Sequence, residues 1–139
     1  MKRMTSFLLA LLMLLPLLAS CGLKVKGKSY TYLPDSGAVS LEGVEFTEEQ
    51  QASFRRTLDK NFKDSVLVFS EENAFEYTYS VFSLPPVTSR QEGKRSGNTI
   101  VTEDGRYKVE ILEDRVILTV PDLIYQEGSV NTVVFTAKE

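Results

Sequence analysis

Histidine and tryptophan are both missing from the 139 residues, and there is a single cysteine. Without imidazole the chain lacks the side chain that titrates nearest neutral pH, so no serine can draw on a Ser-His pair. No imidazole site for a metal can form either. One cysteine cannot close a disulfide within the chain. Positive charge is also short, with 16 Lys and Arg against 19 Asp and Glu. An acidic body lacks the basic footprint that nucleic-acid binding needs, so nucleic acid is set aside as a partner. No internal repeat, low-complexity tract or second domain boundary is visible.

The acidic residues that are present include three adjacent pairs, Glu71/Glu72, Glu103/Asp104 and Glu113/Asp114. A glycosidase needs two carboxyl groups in opposed environments, and all three pairs fall in expected turns, where solvated charge is the ordinary explanation. Oxygen-only calcium binding has no EF-hand spacing to support it. The chain therefore reads as a non-enzyme with no catalytic residues, no metal and no cofactor.

At the amino terminus Lys2 and Arg3 precede an apolar run from Phe7 to Leu18. That run is about a dozen residues, whereas a helix needs roughly twenty to cross a bilayer. Basic residues, a short apolar stretch and small residues before a cut make the pattern of a secretory signal. The residues Leu18-Ala19-Ser20-Cys21 resemble a lipobox, the processing signal of bacterial lipoproteins. The resemblance implies removal of residues 1–20 and acylation of Cys21 at its sulfur and its new amino terminus, with palmitate-type chains. Two or more chains hold a protein on a membrane stably, where one does so only marginally. The thiol would then be used up, leaving no thiolate nucleophile or sulfur ligand. Gly22 stands where an aspartate would resemble an inner-membrane retention signal, so the outer membrane is expected if the cell has two. Loss of Lys2 and Arg3 from the 16 basic side chains leaves 14 against 19 acidic ones, a formal charge of −5. Residues 21–28, with Lys24, Lys26 and Lys28, read as a short basic tether to anionic headgroups or a solvated linker. Residues 29–139 read as one β-rich domain.

In that domain period-two alternation predominates, the mark of half-buried strands. Strands are expected at 29–33 and 38–44, joined as a hairpin by Pro34-Asp35-Ser36-Gly37. A helix follows: Thr47 caps it, Gln50 completes a capping box, and Glu48 and Glu49 suit the positive end of its dipole. Phe54, Leu58 and Phe62, four apart, make its single apolar stripe. Six further strands are expected at 66–70, 74–82, 99–103, 106–112, 115–120 and 130–137. Asp104-Gly105 and Glu113-Asp114 are two-residue hairpin signals. The inward set of the meander would be Tyr107, Val109 and Ile111, then Val116, Leu118 and Val120. Ile100 and Val101 point to opposite faces. Residues 85–98 read as a long loop after Pro85-Pro86, and 121–129 as a second connection.

Eight antiparallel strands and one helix between the second and third predict a closed or nearly closed meander barrel. The alternative is an open α+β sheet with the helix over one face. Gly27-Lys28-Ser29-Tyr30 at the first strand, where lipocalins favour glycine then tryptophan, and the run of hairpins after Ser65 resemble the lipocalin-like, calycin type of small lipoprotein. An eight-stranded barrel is either filled by side chains or holds one small ligand. In the ligand-binding reading Phe75, Tyr77, Tyr79 and Tyr107 line an apolar cavity and their hydroxyls orient a small molecule. In the other reading the protein is an interaction module of the envelope. It would engage a protein or glycan through a sheet edge or the 85–98 loop, whose Arg90, Lys94 and Arg95 form a local basic cluster. The same residues also fit a filled core and a solvated loop.

Overall fold

Alternation along the strands sends one set of side chains inward, and in the computed structural model of the protein that sheet closes on itself. The structure describes residues 22–80, 85–121 and 127–138; Cys21 and the expected signal, residues 1–20, lie outside the described residues. In chain order the elements are β1 Ser29–Tyr32, β2 Ala38–Ser40, α1 Glu48–Phe62, β3 Val66–Glu71, β4 Ala74–Tyr79, β5 Val87–Ser96, β6 Thr99–Thr102, β7 Lys108–Ile111, β8 Arg115–Pro121 and β9 Val130–Ala137. Every pairing is antiparallel. The ring runs β1-β3-β4-β5-β6-β7-β8-β9 and returns to β1 through Tyr30↔Ala137 and Tyr32↔Phe135. It is an eight-stranded closed barrel with its helix between β2 and β3, and the open-sheet alternative is ruled out.

β1 and β2 do not form the expected hairpin. Both lie antiparallel to β9, β1 against residues 135–137 and β2 against 130–132. The chain therefore continues in one direction along β9, and Pro34-Asp35-Ser36-Gly37 is an outward step in a single broken stave. Tertiary contact decides this. Leu33 N–H donates to Val134 O at 2.9 Å, and the Ser36 hydroxyl accepts from Val134 N–H at 3.1 Å. Gly37 passes so close to Leu58 of α1 that a Cβ would collide with that side chain. The predicted strand 38–44 shrinks to three residues followed by a turn bridged between Leu41 and Val44.

Inward residues fill most of the barrel. Leu67 and Phe69, Ile100, Val109 and Ile111, Val116, Leu118 and Val120, and Val133 and Phe135 are all buried, and Tyr107 packs partly buried against them. Each such side chain contributes on the order of 1.5–3 kcal/mol through burial. Val101 points outward, opposite to Ile100. Helix α1 closes one end. Its capping box forms as Thr47 and Gln50 predict, and its stripe faces in, with Leu58 and Phe62 fully buried and Phe54 partly so. The Phe62 ring lies 5.7 Å from Tyr32, 6.0 Å from Tyr77 and 6.3 Å from Phe135, reaching three staves at once. Gln51 grips the Val39 backbone at both N–H and C=O.

The opposite end is closed by residues 22–28, which are docked and not a free tether. Val25 is 0% exposed, inside the core cluster. The Glu72 carboxylate accepts from the N–H groups of Val25 at 3.0 Å and Lys26 at 3.3 Å. Asn98 Oδ1 accepts from Leu23 N–H at 2.7 Å.

The predicted 85–98 loop is the largest departure, because residues 87–96 form β5, paired with β4 from Ala74↔Glu92 to Tyr79↔Val87 and with β6 from Gly93↔Thr102 to Ser96↔Thr99. Its inward positions are Ser89, Gln91, Gly93 and Arg95, so the strand carries no hydrophobic alternation to read. Of the predicted strand 74–82, β4 ends at Tyr79, and residues 81–84 lie outside the described residues. Glu113-Asp114 makes the tight turn expected, with Leu112 N–H donating to Arg115 O at 2.8 Å. Asp104-Gly105 sits in a wider one, since β6 stops at Thr102 and β7 starts at Lys108.

Candidate functional site

On β4 the residues Phe75, Tyr77 and Tyr79 fall on the inner face, as their alternation predicts. Their rings make a continuous wall: Phe75 and Tyr77 stack with centroids 6.5 Å apart, and Tyr77 and Tyr79 lie 5.9 Å apart. Cross-strand partners point to the same face. Register therefore sets Gln91 beside Phe75, Ser89 beside Tyr77 and Val87 beside Tyr79. The Tyr77 hydroxyl meets Ser89 and Tyr107, and Gln91 Nε2 donates to Ser89 Oγ at 3.2 Å. Burial is the main cause that pushes the Tyr77 pKa well above the ordinary tyrosine value; Ser89 opposes the shift, while Tyr107 and Tyr79 add to it. Tyr77 thus stays a neutral hydroxyl that can donate and accept.

The four predicted ligand residues do come together, and they differ in depth. Phe75 is 1% and Tyr77 2% exposed, so both belong to the packed interior. Tyr79, Ser89, Gln91 and Tyr107 are half-buried, and Val87 at the rim is 48% exposed. Exposure along the wall therefore rises toward the helix end, from Phe75 and Tyr77 to Tyr79, Tyr107 and Val87. Strand β5 places mostly small or polar side chains, Ser89, Gln91 and Gly93, beside this wall.

Two more polar groups face the same interior and carried no signal in the sequence. Asn131 is fully buried; its Nδ2 donates to Val120 O at 3.2 Å, and its Oδ1 has no partner among the described residues. The Ser129 hydroxyl, also buried, has none among the described residues either. Val120 pairs with Asn131 and Thr119 with Lys108, which sets Tyr107 and Asn131 about two strands apart on the inner face. Leaving a buried acceptor unmatched costs about 1–3 kcal/mol, which a bound polar atom would offset.

The basic residues expected on a loop are dispersed. Arg90 and Lys94 point outward from β5, and Arg90 pairs with Glu76 at 2.9 Å. Arg95 turns inward at the amino-terminal end, where it pairs with Glu72 at 2.7 Å and donates to the carbonyls of Leu23, Glu72 and Gly97. It is a structural clamp and not part of a basic patch.

A separate open cleft of about 630 Å³ lies between the end of β1, the start of β3 and α1, lined in part by Tyr32, Asp59, Lys60, Lys63 and Ser65. None of the predicted ligand residues lines it. The Tyr32 hydroxyl donates to Asp59 at 2.6 Å there, and Asp59 also accepts from Asp35 N–H at 2.8 Å, so its polar groups hold the β1–β2 step in place.

The carboxylate pairs are parts of turns. The Glu72 pKa is lowered chiefly by the Val25 N–H, that of Asp104 by the Thr102 hydroxyl and that of Asp114 by Arg115. Among the described residues no cluster of three His, Cys, Asp or Glu is placed to hold a metal ion, and no helix is long and apolar enough to cross a membrane. Compared with known proteins, the chain matches no family model, no curated protein sequence and no solved structure.

Proposed function

We propose that the mature protein is an envelope lipoprotein, anchored outside the cytoplasm through acylated Cys21, whose barrel takes up a small, mainly apolar molecule at the Tyr77–Tyr79–Tyr107 wall. One observation carries the ligand reading. The inner face is mostly apolar, while β5 presents Ser89, Gln91 and Gly93 beside a row of aromatic rings that runs from buried Phe75 and Tyr77 to half-buried Tyr79. Concave sites for small molecules combine mostly apolar walls with a few polar groups that fix orientation, and tyrosine supplies both. The buried, unmatched Asn131 Oδ1 and Ser129 Oγ add acceptor and donor capacity on the far side. Closure into eight strands suits the resemblance to lipocalin-like lipoproteins, and the lipobox supplies the anchor.

The ligand would rest on Phe75 and Tyr77 as a floor and be held by Tyr79 and Tyr107 at the rim. Native mass spectrometry of protein extracted gently from its own membranes tests this. A stoichiometric non-covalent mass is expected in the wild type and is absent from Ser89→Phe, which fills the open side of the wall. A wild-type barrel that carries no such mass, and whose melting temperature is unmoved by a panel of apolar probes, would remove the ligand reading. The mass of the amino-terminal peptide tests the anchor separately, with acylated Cys21 as the expected form.

A further inference from the structure

We infer that the amino-terminal end of the barrel is its membrane-contacting face, so that the lipid surface meets the Ser96–Asn98 and Leu112–Asp114 turns and the helix end points away. The inference rests on the proposed acylation of Cys21 and adds the orientation that acylation alone would leave free.

A lipidated cysteine on a flexible tether lets a domain tumble over its membrane. Here no tether is left. Gly22 is seated against Gly97 and Asn98, so tightly that a Cβ would collide with Gly97 O, and its φ of 70° is one that glycine adopts freely. From there Leu23 is held by Asn98 and Arg95, Val25 is buried, and Lys26 is held by Glu72 and pairs with Glu71 at 3.3 Å. Consecutive Cα atoms are about 3.8 Å apart, so Cys21 can lie no farther than that from the docked Gly22. Acyl chains attached there enter the bilayer beside the Gly97–Asn98 turn.

The surface around that exit suits a lipid interface. Leu23 and Leu112 are 39% and 42% exposed, and both flank Asn98: its side chain accepts from Leu23 N–H, and its carbonyl accepts from Ile111 N–H, next to Leu112. Exposed Lys24 and Lys28 stand on the same segment and would favour anionic headgroups. With β9 eight residues long at about 3.3 Å per residue and the tilt a barrel imposes, the helix end and the mouth of the tyrosine wall stand roughly 20 Å off the lipid. The mouth then opens to the aqueous side.

Because acylation consumes Cys21, a second cysteine gives a unique labelling site in the mature lipoprotein. Leu112→Cys and Val44→Cys, the latter on the exposed turn after β2 at the helix end, are labelled with a fluorophore. Each lipoprotein is reconstituted into phosphatidylethanolamine–phosphatidylglycerol vesicles containing lipid-borne quenchers. Severalfold stronger quenching at 112 than at 44 is expected. In an Arg95→Met/Glu72→Gln background, which releases residues 22–28, the difference should shrink while the protein still floats with the vesicles. Flotation with equal quenching at both sites, or stronger quenching at 44, overturns the orientation and leaves the anchor standing. Failure to float, with no acyl mass on Cys21, overturns the anchor and the orientation together.

Discussion

At the scale of single residues Glu72 and Arg95 together fasten the docked amino-terminal segment to the barrel. The Glu72 carboxylate accepts from two backbone N–H groups of the docked segment and from Arg95, and those donors lower its pKa, the Val25 N–H most of all. A depressed folded value contributes stability that is fully present above the ordinary glutamate pKa and is lost as pH falls through the folded value. The Val25 amide resonance should therefore titrate with a midpoint below the ordinary glutamate value of about 4.3. In Glu72→Gln that titration should vanish and the Val25 amide should lose protection from exchange. A wild-type midpoint at the ordinary value would show that Glu72 does not hold the segment. Residues 22–28 look like a solvated linker in sequence because lysines occupy three of their positions. Val25 is the one buried apolar side chain of the segment, and the partners that hold it are distant: Glu72 accepts from Val25 N–H 47 residues away and Arg95 donates to Leu23 O 72 residues away.

Among the elements, α1 and β5 show opposite relations between pattern and position. The helix has its own local signals, a capping box and an apolar stripe, and both appear where Thr47, Gln50, Phe54, Leu58 and Phe62 place them. Phe62 is the stripe's deepest member, in ring contact with β1, β4 and β9. Phe62→Ala should cost about 3–5 kcal/mol, lowering the urea midpoint with little change in slope, while Phe54→Ala, at a half-buried site, should cost less. Equal losses at the two positions would mean that the helix does not plug the barrel. Strand β5 has no such local signal. Its inner face is Ser89, Gln91, Gly93 and Arg95 and its outer face is also polar, so neither period two nor burial marks it. Ladder bonds to β4 and β6 hold it in place, and those are invisible until the partners are known. The polarity that hides the strand is also what gives the tyrosine wall its partners. Phe75, Tyr77, Tyr79 and Tyr107 were legible as a group through alternation; Ser89, Gln91, Ser129 and Asn131 became visible only when the ring closed.

For the whole molecule the decisive contact is the seam between β1 and β9, where residues about a hundred apart in sequence pair as Tyr30↔Ala137, Thr31↔Thr136 and Tyr32↔Phe135. Such long-range pairing requires loop closure before any return, which makes folding slow and cooperative. Ending the chain at Thr132 removes this seam together with buried Val133 and Phe135. The truncated protein should show no cooperative thermal transition by circular dichroism, and a sharp transition near the wild-type temperature would mean that closure is dispensable. The sequence by itself determined that the body is β-rich, that one capped helix interrupts it after two short strands, and which residues of each alternating strand face inward. Those properties follow from spacing along the chain, where a side chain's neighbours set its period. Only the tertiary structure decided that β1 and β2 form one broken stave, that polar β5 is a strand, and that residues 22–28 seal the barrel's end. Each of these depends on a hydrogen-bond partner or a contact surface supplied from a distant part of the chain, and no local pattern records such a partner.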